Sequence, residues 1–156
     1  MAKILNIITN PDPVLRKKSQ PLNLEEPLTS EQTNFCQDLI LTMKEKDGVG
    51  LAAPQVGKNI RIIVVTLDNE IICMVNPQIT KKSWARHWGE EGCLSVPDQF
   101  GEVERHKKIN CIYFTPEGKK KQIKVQDFPA RIIQHEIDHL DGILFIDKAR
   151  NLKKSS

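Results

Sequence analysis

The sequence predicts an α+β fold, on three observations. A capped amphipathic stretch near residues 30–46 reads as a helix. Two pairs of β-rich runs are each joined by a short turn, and a second helical stretch follows them. Helices mixed with hairpins, in place of strict strand–helix alternation, point to this class.

In chain order, the opening "ILNIIT" is apolar and ends at a turn, "NPDP". "LTSEQTNFCQDLILTMKEKDG" places Thr29 and Gln32 at capping-box spacing. Phe35, Leu39, Ile40 and Met43 then share one face, and Gly48 stops the helix. "IRIIVVT" (60–66) and "IICMVNP" (71–77) flank "LDNE" as a first hairpin. "KINCIYFT" (108–115) and "KQIKVQD" (121–127) flank "PEGK" as a second. "PARIIQHEIDHLDG" is helical, with Pro129 suited to its first turn and Gly142 just past its end.

At 156 residues the chain has the size of one ordinary domain, and 1–156 reads as a single unit without repeats or linkers. With 39% hydrophobic and 28% charged residues it fits a globular protein and argues against extensive disorder. No apolar run reaches the roughly 18–20 residues of a membrane span. The amino terminus carries no secretory pattern, so a cytoplasmic location is expected. In that setting the four cysteines, 36, 73, 93 and 111, which form no CxxC pair, should be reduced and mostly buried. The net charge is +3, which gives no ground for sequence-specific nucleic-acid binding. Basic residues gather at 118–124 and in a tail at about 147–156 (Lys148, Arg150, Lys153, Lys154). Both read as solvated segments, the tail frayed, with weak attraction to a polyanion as the competing reading.

The stretch that carries chemistry is "QHEIDHL". His135 and His139 stand four apart on a helix, so both imidazoles can reach one ion, and Glu136 can approach a bound water. The bland reading is a surface helix with two idle histidines. A catalytic ion needs a third protein ligand and an open position. The downstream protease pattern HExxHxxGxxH fails because its last position is Phe145, and Asp141 and Asp147 are weak candidates. Upstream, Cys93 in "GEEGCLSVP" is the best candidate. Cys36, Cys73 and Cys111 sit where core packing suits them better. A Cys/His/His set suits Fe(II), Zn(II), Co(II) or Ni(II).

"GVGLAAPQ" (48–55), "EGCLS" (91–95) and "QHEIDHL" (134–140) together resemble the three motifs of the peptide deformylase family, in that family's order. The resemblance runs from "NPDPVLR" to "DGILF". It implies a metal-dependent amide hydrolase that removes the N-formyl group from formyl-methionyl nascent polypeptides, releasing formate. It implies antiparallel sheets packed around a central metal-binding helix. Cys93, His135 and His139 are then the ligands, with Fe(II) the usual ion and Zn(II), Ni(II) or Co(II) as substitutes. Gln55 and the Leu94 backbone N–H would stabilise the oxyanion, and Glu136 would move protons. The Gly50 backbone would bond the peptide, while Val49 and Ile132 would line the methionine pocket. Glu91 is either a solvated turn residue or a group that orients a ligand or a nearby arginine.

The chain departs from the pattern in two places. Many bacterial members continue into a longer C-terminal helix associated with ribosome docking, so only a weakened, transient ribosome contact is expected. Phe100 stands where some members carry an arginine near the substrate. Two other readings compete: a peptidase of internal bonds, and a structural metal or RNA-binding protein with His87 or His106 as a fourth ligand.

Overall fold

The computed structural model describes residues 1–155. After an extended amino-terminal segment and a 3-10 turn at Pro13–Arg16, α1 spans Ser30–Glu45. Its Thr29–Gln32 capping box forms as expected: the Gln32 N–H donates to Thr29 Oγ1 at 3.1 Å, and the Thr29 N–H donates to Gln32 Oε1 at 2.9 Å. Eight strands follow, interrupted by α2: β1 Gly50–Ala52, β2 Ile62–Leu67, β3 Glu70–Lys82, β4 Arg86–Cys93, β5 Val96–His106, β6 Lys108–Phe114, β7 Lys120–Gln126, α2 Asp127–Leu140 and β8 Arg150–Lys154.

The strands make two antiparallel sheets, one of five in the order β1-β2-β3-β6-β7 and one of three in the order β4-β5-β8. Both expected hairpins form. Asp68 and Asn69 turn β2 into β3 with positive φ at both positions, which their short polar side chains tolerate. β3 runs past its expected end to Lys82, through irregular register at Val75–Gln78.

Within "IRIIVVT", the four residues 62–65 are all apolar because β2 is covered on both faces. Ile62 and Val64 join Cys36, Leu39 and Met43 of α1, whereas Ile63 and Val65 join Ala130, Ile132, Ile133 and Leu140 of α2. The other side of α2 meets the three-stranded sheet through polar contacts. Gln134 Nε2 donates to the His106 carbonyl at 2.9 Å, and the His106 N–H donates to Gln134 Oε1 at 3.0 Å. α2 thus lies between the sheets, buried almost all round. It ends in a Schellman pair, with the Ile143 N–H on the Asp138 carbonyl at 2.9 Å and the Gly142 N–H on the His139 carbonyl at 3.1 Å. Gly142 has φ +76°, and a Cβ there would strike the Arg16 carbonyl.

Two segments differ from expectation. "GEEGCLSVP", turn-rich in sequence, is strand over most of its length: it is the end of the β4–β5 hairpin, where Cys93 pairs with Val96 across a two-residue turn. The basic tail is not frayed. Arg150–Lys154 pairs with β5, Phe100 opposite Lys153, and Arg150 stacks on Trp88 with its guanidinium 3.6 Å from the ring centroid.

Candidate active site

Two elements converge on one point. α2 presents His135 and His139 one turn apart, with ring centroids 5.0 Å from each other. The β4–β5 turn brings Cys93 Sγ to 3.3 Å from His139 Nε2. The ligand atoms of Cys93, His135 and His139 all lie within 4.8 Å of one another. A tetrahedral ion with ordinary metal–nitrogen and metal–sulfur bonds spaces its donors by about 3.4–3.6 Å, so the three can share one. His87 and His106 do not join the group; His106 Nδ1 lies 2.8 Å from the Ser83 carbonyl instead. Asp141 and Asp147 are spent on ion pairs with Arg61 and Arg16.

Glu91 resolves into the second of its two readings. It is buried and sits between two guanidinium groups: Arg105 bonds it through Nε and Nη2, both at 2.9 Å, and Arg131 Nη1 at 2.6 Å. Its Oε1 also holds His135 Nδ1 at 2.8 Å, which turns the opposite nitrogen, Nε2, toward Cys93 and His139. Burial works to raise the Glu91 pKa, but the Arg105 and His135 hydrogen bonds and charges outweigh it and hold the carboxyl well below its ordinary value. Arg105 Nη1 further bonds Asp138 at 2.6 Å, tying β5 to α2.

The charge pattern fits a cation. Burial opposes charge on His135, yet hydrogen bonds to Cys93 and Glu91 and the Glu136 charge push it up to about 10. His139 is driven well below its ordinary value by burial and by the charge of His135. One positive charge is thus favoured at His135, and the three donors of Cys93, His135 and His139 could hold a metal ion in its place. Glu136 Oε1 and His139 Nδ1 are buried without a hydrogen-bond partner among the described residues. Burial lifts the Glu136 carboxyl to about 7, the range useful to a group that must both take and give a proton.

Gln55 is buried in the 3-10 turn Ala53–Val56 after β1. Its Oε1 accepts the Ala52 N–H at 2.9 Å. That fixes the amide so that Nε2 points at Ser95 Oγ (3.1 Å) and Cys93 Sγ (3.5 Å). Leu94 is the first residue of the β4–β5 turn, and its N–H takes no acceptor among the described residues. Gly50 passes so close to α2 that a Cβ would meet Glu136 Oε2 at 2.5 Å. The amino-terminal segment braces both loops, with the Ile8 N–H on the Gln55 carbonyl at 2.7 Å and the Asn10 N–H on the Ser95 carbonyl at 2.8 Å.

A cavity of about 510 Å³ opens onto this point. Val49, half-exposed, and Ile132, buried, both line it, as do Phe100, Phe128 and Arg131. Phe100 covers Gly92, where a Cβ would meet its ring at 2.8 Å. Arg105, Arg131 and Ser95 were not among the residues expected at the site. Arg131 had a visible signal, an arginine inside "ARII" one turn before a ligand; Arg105, on a strand far along the chain, had none.

The family profile described as polypeptide deformylase matches residues 4–155. The chain is 40% identical over 152 residues to a peptide deformylase of Desulforudis audaxviator, covering 97% of each. It is 42% identical over 157 aligned positions to one of Symbiobacterium thermophilum, covering 98% of this chain and 70% of that one. Among solved structures, the peptide deformylase of Thermotoga maritima superposes with a TM-score of 0.90 at 37% identity, covering 94% of this chain and 98% of that one. The Met-Ala-Ser-bound class I type b enzyme of Acinetobacter baumannii gives 0.91 at 37%, covering 95% and 99%. The same Cys-turn and His-helix geometry lies within a likeness that runs nearly end to end, and this chain belongs to the polypeptide deformylase family.

Proposed function

We propose that this chain, acting as a single catalytic domain, removes the formyl group from formyl-methionyl nascent peptides at the point where α2 meets the β4–β5 turn. The observation that carries the reading is the gathering of Cys93, His135 and His139 beside a buried Glu136 and an oriented Gln55. Cys93, His135 and His139 would hold a divalent ion, which when bound supplies a water of lowered pKa and polarises the formyl oxygen.

The chain's own residues do the rest. The Gln55 Nε2–H and the Leu94 N–H donate to the oxygen that becomes negative as the formyl carbon turns tetrahedral. Each such donor is worth roughly 10²–10³ in rate. Glu136 takes the proton of the attacking water and returns it to the departing amine, leaving formate and a free methionyl terminus. The Gly50 backbone bonds the peptide, and Val49 and Ile132 flank the methionine side chain. The thiolate and two imidazoles suit Fe(II) as the native ion, with Zn(II), Ni(II) or Co(II) as substitutes. The location is cytoplasmic. A transient ribosome contact would rest on the basic strand β8.

The test is formate release from formyl-Met-Ala-Ser by protein purified anaerobically with Fe(II), beside a Glu136→Ala control. Formate from wild type and almost none from the control is expected. One bound metal per chain without formate overturns the reading. Metal analysis of the native protein decides the ion, and co-sedimentation with ribosomes at varied salt decides the contact.

A further inference from the structure

Two cavities border α2. Phe128, Ile132 and Glu136 line the one at the candidate metal site, whereas Gln134, Ile137 and Asp138 line a second of about 520 Å³. β3 and the β4–β5 hairpin supply the rest of its wall. The volume lies within the roughly 300–1,000 Å³ of small-molecule sites. Deformylation makes no use of it. Three kinds of side chain meet there. Ile79 and Ile137, both half-buried, give an apolar surface. Trp88 adds an indole that stays 40% exposed although Arg150 stacks on it. Lys82, Arg86 and Lys148 add exposed cations.

The acids on the wall do not cancel those charges. Asp138 is shared between Lys148 at 3.0 Å and Arg105 at 2.6 Å. Glu104 meets Arg86 at 3.6 Å with both side chains more than a third exposed, a pair that water largely screens. Lys82 stands in none of these pairs. Two segments that border the cavity, 81–89 and 105–116, are joined by the Ser83 N–H on the Lys108 carbonyl and the Lys107 N–H on the Ala85 carbonyl, both at 2.9 Å. Together they carry Lys81, Lys82, Arg86, Arg105, Lys107 and Lys108 and no acid. The field at this corner is therefore positive. A bare inorganic anion would use the cations and leave the isoleucines and the indole in water. A hydrocarbon would cover the apolar groups and gain nothing from the cations. A flat ring bearing a phosphate uses both, because bases stack on aromatic side chains and phosphate takes charge-assisted bonds from lysine and arginine.

We propose that this second cavity is a binding site for a nucleotide unit, its base beside Trp88 and its phosphate among Lys82, Arg86 and Lys148. A free nucleotide and a nucleotide within a single RNA strand present the same chemistry, and the experiment separates them. The site goes beyond deformylation and does not depend on it.

The experiment titrates zinc-loaded Trp84→Phe protein, in which Trp88 is the only tryptophan, and follows its fluorescence. Trp84 is 97% exposed, so its replacement leaves the fold alone. The probes are AMP, adenosine, inorganic phosphate, and a short oligoadenylate beside an abasic strand of equal length. A free nucleotide is assigned if AMP saturates the signal at least about tenfold more tightly than adenosine or phosphate. RNA is assigned if only the oligoadenylate saturates it, by the same margin over the abasic strand. In either case Lys82→Ala combined with Arg86→Ala should weaken binding about tenfold or more at an unchanged melting temperature. Trp88→Leu, read by calorimetry, should do the same; if it fails to fold, the alanine pair carries the test. Saturating Met-Ala-Ser should leave the nucleotide titration unchanged. Displacement by that peptide would move the nucleotide to the first cavity and overturn the proposal. Phosphate binding as tightly as AMP overturns it too, as does an unaltered affinity in the alanine pair or no signal from either nucleotide probe at millimolar concentration.

Discussion

Glu136 and Glu91 lie on either side of His135, and opposite surroundings give them opposite roles. Glu136 is buried with one oxygen unpartnered, and burial lifts its carboxyl to about 7. A bound cation pulls that value back down. The proton-transfer role proposed for Glu136 requires the base form, so kcat/KM should rise with pH and level off at or below about 7. In Glu136→Gln this limb should vanish and kcat should fall by roughly 10²–10⁴ with the metal retained. A pH–rate profile with metal analysis checks both, and a limb that persists in the variant rejects the assignment. Glu91 is held ionised against burial by Arg105 and His135. Its folded pKa is depressed, so its stabilisation is present above the ordinary 4.5 and is lost as pH falls below it. Glu91→Gln leaves two buried guanidinium groups facing a neutral amide and should cost about 3–5 kcal/mol in urea unfolding at pH 7. The difference between the two proteins should shrink as pH falls below 4.5. An unchanged midpoint at pH 7 would show that Arg105 and Arg131 find other partners.

At the scale of elements, the site depends on how closely β1 approaches α2. A Cβ at position 50 would lie 2.5 Å from Glu136 Oε2 and 2.9 Å from its Cγ. Gly50→Ala should therefore displace the carboxylate and lower kcat by more than tenfold, because a misplacement of about 1 Å can cost roughly a hundredfold. Folding should be less affected, since the side chain rather than the backbone can give way. Kinetics set beside a thermal melt separates the two; equal kcat would mean that the carboxylate has another productive position. The hairpin of β4 and β5 teaches a related lesson about legibility. The inward positions of β4 are His87, Gly89, Glu91 and Cys93. None is a large hydrocarbon, because a guanidinium group and the Cys93, His135 and His139 cluster fill the space that packing normally fills. The alternating signal of a half-buried strand was therefore missing, and a structured hairpin looked like a turn. Strand β8 was hidden for another reason. All five of its residues are exposed, and it exists because β5 offers it a free edge.

For the whole molecule, the three candidate ligands come from two separate structures, a helix facing the five-stranded sheet and a turn of the three-stranded sheet. An ion held by all three cross-links the two layers. Binding that favours the folded state stabilises it by mass action, by about 4 kcal/mol at a thousandfold excess over the dissociation constant. Removing the ion with a chelator should lower the melting temperature by several degrees and restore it on addition of Fe(II) or Zn(II). Replacing Cys93 by Ser should blunt that response. Identical melts with and without chelator would rule out a cross-linking ion.

Much of this protein was readable without coordinates because the signals are local. The capping box and apolar face of α1, both expected hairpins, and the i, i+4 histidines on α2 each depend on residues within a few positions of one another. Weighing the four cysteines added Cys93 as the best candidate for a third ligand, and motif resemblance carried the reading further, to Gln55 and Leu94. What tertiary structure alone decided was the polar network: Glu91 between Arg105 and Arg131, Gln134 on the His106 backbone, and Arg131 over Gly89. These partners lie 14 to 42 residues apart in the chain. Buried charge is tolerable only where an opposite charge is brought to it by the fold, and composition or periodicity carries no record of that pairing.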